Sequence, residues 1–160
     1  MAWAYHYGSS ASTGNSTYRC LIRTEVTSWG INNYTLKYQY GLQVTAGNFQ
    51  GSLVNTSWLG NYTVPLNGTG YTGWGTATSI TLNYGATKAF SANASYTGGS
   101  GKVYKTTLSY TWPAQYPTVG FYSSSGKWKN AIPYVYSGGW KPCVACLWST
   151  NGYWKLCKSN

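Results

Sequence analysis

The sequence predicts an all-β protein: an antiparallel β-sandwich followed by a small unit of β-hairpins. Three observations predict it. Apolar and aromatic residues recur at every second position over long stretches, the period of a strand with one buried face. The 160 residues include 17 Tyr and 9 Trp alongside abundant Thr, side chains that suit a pleated, half-buried surface. Clusters of Gly, Asn and Ser separate the alternating runs, and no window places apolar residues at i, i+3, i+4 and i+7 between helix caps.

In chain order, residues 2–7 form a first short candidate strand. Alternation follows at Cys20, Ile22, Thr24 and Val26. The longest run places Tyr34, Leu36, Tyr38, Tyr40, Leu42 and Val44 at even positions, with Thr35, Lys37, Gln39, Gly41 and Gln43 between them. That pattern describes a long strand with one wet face. Residues 49–54 are a further short candidate. The alternation returns at Tyr62, Val64 and Leu66, at Ile80, Leu82 and Tyr84, and at Phe90, Ala92, Ala94 and Tyr96. It ends with Tyr104, Thr106, Leu108, Tyr110 and Trp112. Turn sequences such as Gly30-Ile31-Asn32-Asn33, Ala46-Gly47-Asn48, Asn67-Gly68-Thr69-Gly70 and Gly98-Gly99-Ser100-Gly101 lie between the runs. Strands at this spacing, with no helical segment between them, predict one sandwich of Ig-like style over residues 1–113.

Pro113 and Pro117 then break the alternation, because closely spaced prolines end a strand and stiffen a linker. Residues 114–160 carry an internal repeat. Tyr122, Tyr136 and Trp148 are each followed by a Ser/Gly/Asn turn and then by a Trp-Lys pair: Trp128-Lys129, Trp140-Lys141 and Trp154-Lys155. The physical unit is a β-hairpin with a Gly-containing tip. One hairpin is marginal alone, so the units must pack on something. The tryptophans are expected to be mainly the core of that packing, since so short a unit has little else to bury. The lysines then frame a partner-facing surface. If the tryptophans are instead exposed, they and their lysines form the contact for a partner or a glycan, stacking on sugar faces with an added anion contact.

Charge chemistry excludes most enzyme mechanisms. The chain has 11 Lys and Arg and a single acid, Glu25, giving a net charge of +10. Paired-carboxylate catalysis needs two acids, and carboxylate-built calcium or magnesium sites need more. A Ser-His-Asp arrangement would have to use His6 and Glu25, which lie far apart in sequence. No phosphate-cradling glycine loop is present. The expectation is a non-enzyme without a cofactor. His6, among Trp3, Tyr5 and Tyr7, is expected to be a half-buried or edge-strand residue. The positive charge attracts anionic partners. However, the basic residues form no run and no recognition motif, so nucleic acid is not the expected one. No stretch approaches the ~20 apolar residues of a membrane-spanning helix, so no membrane insertion is expected. The N-terminus lacks the basic and apolar regions of a signal peptide, which predicts synthesis in a cytoplasm. The sequons at Asn15, Asn33, Asn55, Asn61, Asn67 and Asn93 are then chance matches in a Ser/Thr-rich chain.

The cysteines leave three readings open. Cys143, Cys146 and Cys157 have spacing compatible with zinc, with Cys20 or His6 as a remote fourth ligand. Cys143 could instead face Cys157 across a hairpin and form a disulfide. The third reading is reduced, packed thiols, as suits a protein made in a cytoplasm.

The segment from Gly126-Lys127-Trp128-Lys129 through Pro133-Tyr134-Val135-Tyr136 to Gly138-Gly139-Trp140-Lys141 resembles the endings of tail-associated and other virion proteins of tailed bacteriophages, which close with G-x-W-K hairpins. The specific match spans residues 126–141. The Ser/Thr/Gly/Tyr-rich, Asp-free body ahead of it is similar in composition to phage accessory domains. The run from Cys143 to Cys157 departs from the simple repeat. The resemblance implies a minor tail, fibre-associated or capsid-decoration protein, located in the virion and made in the bacterial host cytoplasm. It implies other virion proteins as partners and a homo-oligomer assembled through β-edges and aromatic patches. It carries over no catalytic residue. The alternative is a carbohydrate-binding module that reads anionic or neutral host-surface glycans through exposed Tyr and Trp.

Overall fold

The computed structural model describes residues 2–156 except 31, 66–71, 117, 118, 123, 137, 144, 145 and 149–153. Several strand residues are described by their backbone alone: 72, 119–122, 128–131, 135, 141, 142, 146–148 and 154–156. No helix occurs among the described residues, and the protein is all-β with an antiparallel, Ig-like sandwich. Its strands are β1 (Ala4–Ser12), β2 (Thr17–Trp29), β3 (Asn33–Ala46), β4 (Leu53–Thr56), β5 (Gly60–Thr63), β6 (Thr72–Trp74), β7 (Thr78–Asn83), β8 (Lys88–Thr97) and β9 (Val103–Trp112). One sheet has the order β1-β2-β3-β6, with β7 also paired to β3. The other has the order β5-β4-β8-β9.

The long alternating run of the sequence is β3, and its parity is as expected. Tyr34, Leu36, Leu42 and Val44 are buried, while Tyr38 and Tyr40 are half-buried and pack against Phe90 of the opposite sheet, the nearer ring centroids 4.8 Å apart. β2 contributes Tyr18, Cys20, Ile22, Thr24 and Val26 to the same core. β8 and β9 return Phe90, Ala92, Ala94, Thr106 and Leu108. Phe49, in the loop after β3, stacks on Tyr18 at 4.8 Å and meets Tyr96 edge-on at 4.9 Å. This interdigitation of two inner faces is what a sandwich requires. β6 went unread in the sequence because three residues are too few to display a period.

β1 ties the two sheets together at one corner. Its register on β2 shifts between Tyr7 and Ser10, a β-bulge that re-aims Gly8 and Ser9. The Ser9 hydroxyl accepts the Thr107 N–H at 3.0 Å, and the Ser9 carbonyl accepts the Thr106 hydroxyl proton. The Thr106 oxygen in turn accepts the Cys20 N–H at 3.0 Å. A Cβ on Gly8 would lie 2.3 Å from the Thr107 carbonyl oxygen, so only glycine permits this approach.

Contacts group the chain into two compact units. The first comprises Met1–Val26, Leu36–Ile80 and Ala89–Trp112. The second comprises Thr27–Thr35, Thr81–Lys88 and Pro113–Asn160. Within the second, Trp29, Tyr34 and Tyr84 form an aromatic cluster with centroid separations of 5.5, 6.0 and 6.1 Å, and the Tyr84 hydroxyl donates to the Gly30 carbonyl at 2.7 Å. The same unit holds three two-stranded ribbons: β10 (Val119–Tyr122) with β11 (Trp128–Ala131), β12 (Tyr134–Tyr136) with β13 (Trp140–Pro142), and β14 (Cys146–Trp148) with β15 (Trp154–Leu156).

Candidate functional site

The Trp-Lys pairs singled out in the sequence fall at equivalent rungs of the three ribbons. Trp128 opposes Tyr122, Trp140 opposes Tyr136, and Trp154 opposes Trp148, each at the last rung before the turn. Lys129, Lys141 and Lys155 lie one rung further in, opposite Phe121, Val135 and Leu147. The side chains of Trp128, Lys129, Lys141, Trp154 and Lys155 lie outside the described residues. Trp140 does not fit the expectation of a hairpin core: it is 72% exposed. Its ring meets the cross-strand Tyr136 edge-on at 5.6 Å, and Tyr136 is itself 67% exposed. A ribbon of three rungs offers too little surface to enclose an indole on both faces. Tyr134, two residues before Tyr136 on the same strand, is also exposed. These three rings form an aromatic surface rather than a core.

A second surface lies on the outer face of the β1-β2-β3-β6 sheet. Tyr5 and Tyr7 of β1, before its bulge, and the odd-numbered side chains of β2 and β3 point there, opposite to the core set. Tyr5 of β1 pairs with Arg23 of β2, and Tyr7 with Leu21. The Arg23 guanidinium is clamped between two indoles, its carbon 4.4 Å from the Trp3 ring centroid and 4.2 Å from that of Trp74. Arg23 Nε and Nη2 both donate to the Gln39 Oε1, at 2.9 and 2.5 Å, and the Gln39 amide donates to the Gly75 carbonyl. Arg19 repeats the arrangement. Its guanidinium lies 3.9 Å over Tyr7, and its Nε donates to the Gln43 Oε1 at 2.9 Å. Lys37 Nζ lies 5.5 Å from the Trp3 centroid. Tyr5 and Trp74 approach at 6.1 Å.

Neutral amides, not carboxylates, therefore orient both arginines, and Glu25, two residues beyond Arg23 on the same face of β2, is the chain's one acid beside them. In the sequence these cations look scattered, because Arg19, Arg23 and Lys37 form no run. The usable signal was parity. Trp3, Tyr5 and Tyr7 share one face of β1, and Arg19 and Arg23 share the matching face of β2.

His6 sits half-buried on β1, as expected. Its ring stacks on Tyr110 at 3.6 Å, and Nε2 lies 3.3 Å from the Thr24 hydroxyl. Burial holds its pKa below the usual histidine value. Strand parity directs His6 and Glu25 to opposite faces of the sheet, so the chain's one acid does not orient its one histidine. Cys20 is enclosed in the sandwich core, where burial pushes its thiol up to about 11; a thiol so firmly protonated is a poor nucleophile and a poor zinc ligand. Cys143 carries a free thiol, half-buried beside the β12–β13 ribbon, which its N–H extends by donating to the Pro133 carbonyl at 2.8 Å. The side chains of Cys146 and Cys157 lie outside the described residues. Among the described residues no three His, Cys, Asp or Glu side chains gather into a metal-binding group. No family model, curated protein or solved structure matches the chain.

Proposed function

We propose that this chain is a non-enzymatic structural protein of a bacteriophage virion, tail-associated or decorating the capsid, that contributes to attachment at the host surface. The observation that carries this reading is the exposed aromatic surface of Tyr134, Tyr136 and Trp140, on the segment whose sequence resembles phage virion endings. Exposed aromatics are costly to leave in water and are typical anchors of protein contacts. Assembly with other virion proteins, or with further copies of itself, then rests on such patches more than on strand edges. The β1 edge is engaged by β9 through Ser9, β5 has four residues, and β6 and β7 are separate short strands along β3. Short or covered edges are poor templates for pairing. The test is cosedimentation of the purified chain with virions assembled from a genome lacking its gene. Wild-type protein should pellet with the particles, and Tyr136→Ala/Trp140→Ala should remain in the supernatant. Equal pelleting of both would refute the patch.

A second reading, a carbohydrate-binding module, draws support from the sheet face. Tyr5 and Tyr7 are 46% and 50% exposed beside oriented hydrogen-bonding groups, the combination that sugar rings require. The two readings are compatible on one particle.

A further inference from the structure

We propose that the outer face of the β1-β2-β3-β6 sheet is a binding site for an acidic polysaccharide, with Arg19, Arg23 and Lys37 holding its carboxylates and Tyr5 and Tyr7 supporting its sugar rings. The inference rests on the carbohydrate-binding reading and names its substrate class and its residues.

Glu25, the only acid in a chain of net charge +10, shares this face with Arg19, Arg23 and Lys37, and the three cations leave an excess of positive charge there that an anion complements. Attraction alone does not make a site, but preorganisation does. Arg23 is held from both faces by Trp3 and Trp74 and from the side by Gln39. Arg19 is held by Tyr7 and Gln43. Side chains fixed before binding lose little rotamer freedom on binding. Arg19 meets Gln43 through Nε, and its two terminal nitrogens form the planar fork that matches a carboxylate.

Spacing then selects the polymer. Arg19 and Arg23 are four residues apart on one strand, ~13 Å at the usual strand rise, whereas phosphates of a nucleic acid strand recur every ~3.4 Å along the helix. Most phosphates crossing this face would meet no cation. A polysaccharide that carries a carboxylate on some of its sugars has the sparser charge that the face offers. Tyr5 and Tyr7 lie ~7 Å apart on the same strand, at successive outward positions. One face of Tyr7 is already covered by Arg19, which suits a sugar resting on its other side better than a base inserted between rings. A protein partner would call for an apolar centre to the patch. Here the exposed apolar groups among the described residues of this face are the two tyrosine rings, and Leu21 between them and the arginines is buried.

The experiment is calorimetric titration of the full chain with polygalacturonate half of whose carboxylates are methyl-esterified (polygalacturonate below), uncharged dextran, a single-stranded oligothymidylate and polyglutamate. It compares wild type with Arg19→Gln/Lys37→Gln, with Tyr5→Ala, and with Lys102→Gln/Lys105→Gln, which removes the same charge from exposed positions of the other sheet. Thermal melts confirm that each variant folds. Polygalacturonate should bind wild type most tightly, should lose at least about tenfold in the Arg19/Lys37 variant and in Tyr5→Ala, and should lose no more than about twofold in the Lys102/Lys105 variant. Equal losses in the two charge variants would reduce the site to general attraction and overturn the proposal. Tighter binding of oligothymidylate or polyglutamate through the same residues would also overturn it. Dextran binding as well as polygalacturonate, indifferent to Arg19, would overturn the acidic class and leave the carbohydrate reading standing. No binding of either polysaccharide would remove both.

Discussion

The Trp74 indole lies over Gly41 so closely that a Cβ there would sit 2.7 Å from Cε3 and 2.8 Å from Cζ3. Gly41 interrupts the outward row of β3 for this reason: it leaves room for one wall of the Arg23 clamp. Gly41→Ala should therefore destabilise the protein by ~1–3 kcal/mol, as overpacking does. The same change in a Trp74→Ala background should cost far less, because the obstructing ring is gone. Urea denaturation of the four proteins measures the coupling, and additive costs would contradict the contact.

The two faces of β3 should respond oppositely to charge. Leu36 is fully buried, whereas the adjacent Lys37 reaches out beside Trp3. Leu36→Asp should cost several kcal/mol, on the order of 3–5, by placing an unpaired carboxylate in the core. Lys37→Asp should cost no more than about 1 kcal/mol. Similar shifts in the denaturation midpoints would refute the register.

Stability should fall at alkaline pH before any exposed tyrosine matters. Burial pushes the Cys20 thiol up from 9.0 to about 11 and the Tyr18 phenol from 10.0 to about 12. Between the unfolded and folded values the unfolded chain binds fewer protons, so raising the pH favours unfolding. The contribution of both groups is complete below pH 9 and declines from there toward pH 12. In Cys20→Ala the decline should begin about one pH unit later, where Tyr18 and the other phenols raised by burial, Tyr40, Tyr84 and Tyr110, remain. His6 acts in the opposite direction: its lowered pKa means that stability is lost as pH falls through the acid range. Denaturant midpoints measured from pH 5 to pH 11 trace both limbs, and a flat alkaline limb would contradict the burial of Cys20 and Tyr18.

Trp140 should be nearly silent in stability. At 72% exposure, its replacement by Ala removes little buried surface, and the melting temperature should move by no more than about 2 °C. If the indole were core, the loss would be ~3–5 kcal/mol. Differential scanning calorimetry separates the two outcomes.

The sandwich was legible in the sequence because burial imposes a period of two, and β3 writes it without interruption from Tyr34 to Val44. The same parity placed Cys20 and Thr106 inward, although the cysteine also invited a zinc reading that its enclosure in the core does not favour. The arginine-aromatic face was not legible as a site. Trp3, Arg23 and Trp74 become neighbours only through the order of β1, β2, β3 and β6, and β6 is too short to announce itself. The exposure of Trp140 was misread for a different reason. A short unit has few apolar groups to bury besides its tryptophans, but a three-rung ribbon has too little area to cover an indole. The aromatics of the three ribbons were visible in the sequence, since Tyr122, Tyr136 and Trp148 precede their Trp-Lys pairs by six, four and six residues.

Quantitative mass spectrometry of gradient-purified particles, from cultures in which this chain is expressed and particles are released, tests the virion reading most directly. Peptides from both the sandwich and residues 114–160 should copurify with the major structural proteins, at a constant ratio through the particle peak and after a high-salt wash. Peptides confined to the soluble lysate, or lost from the particles at the first wash, would contradict it.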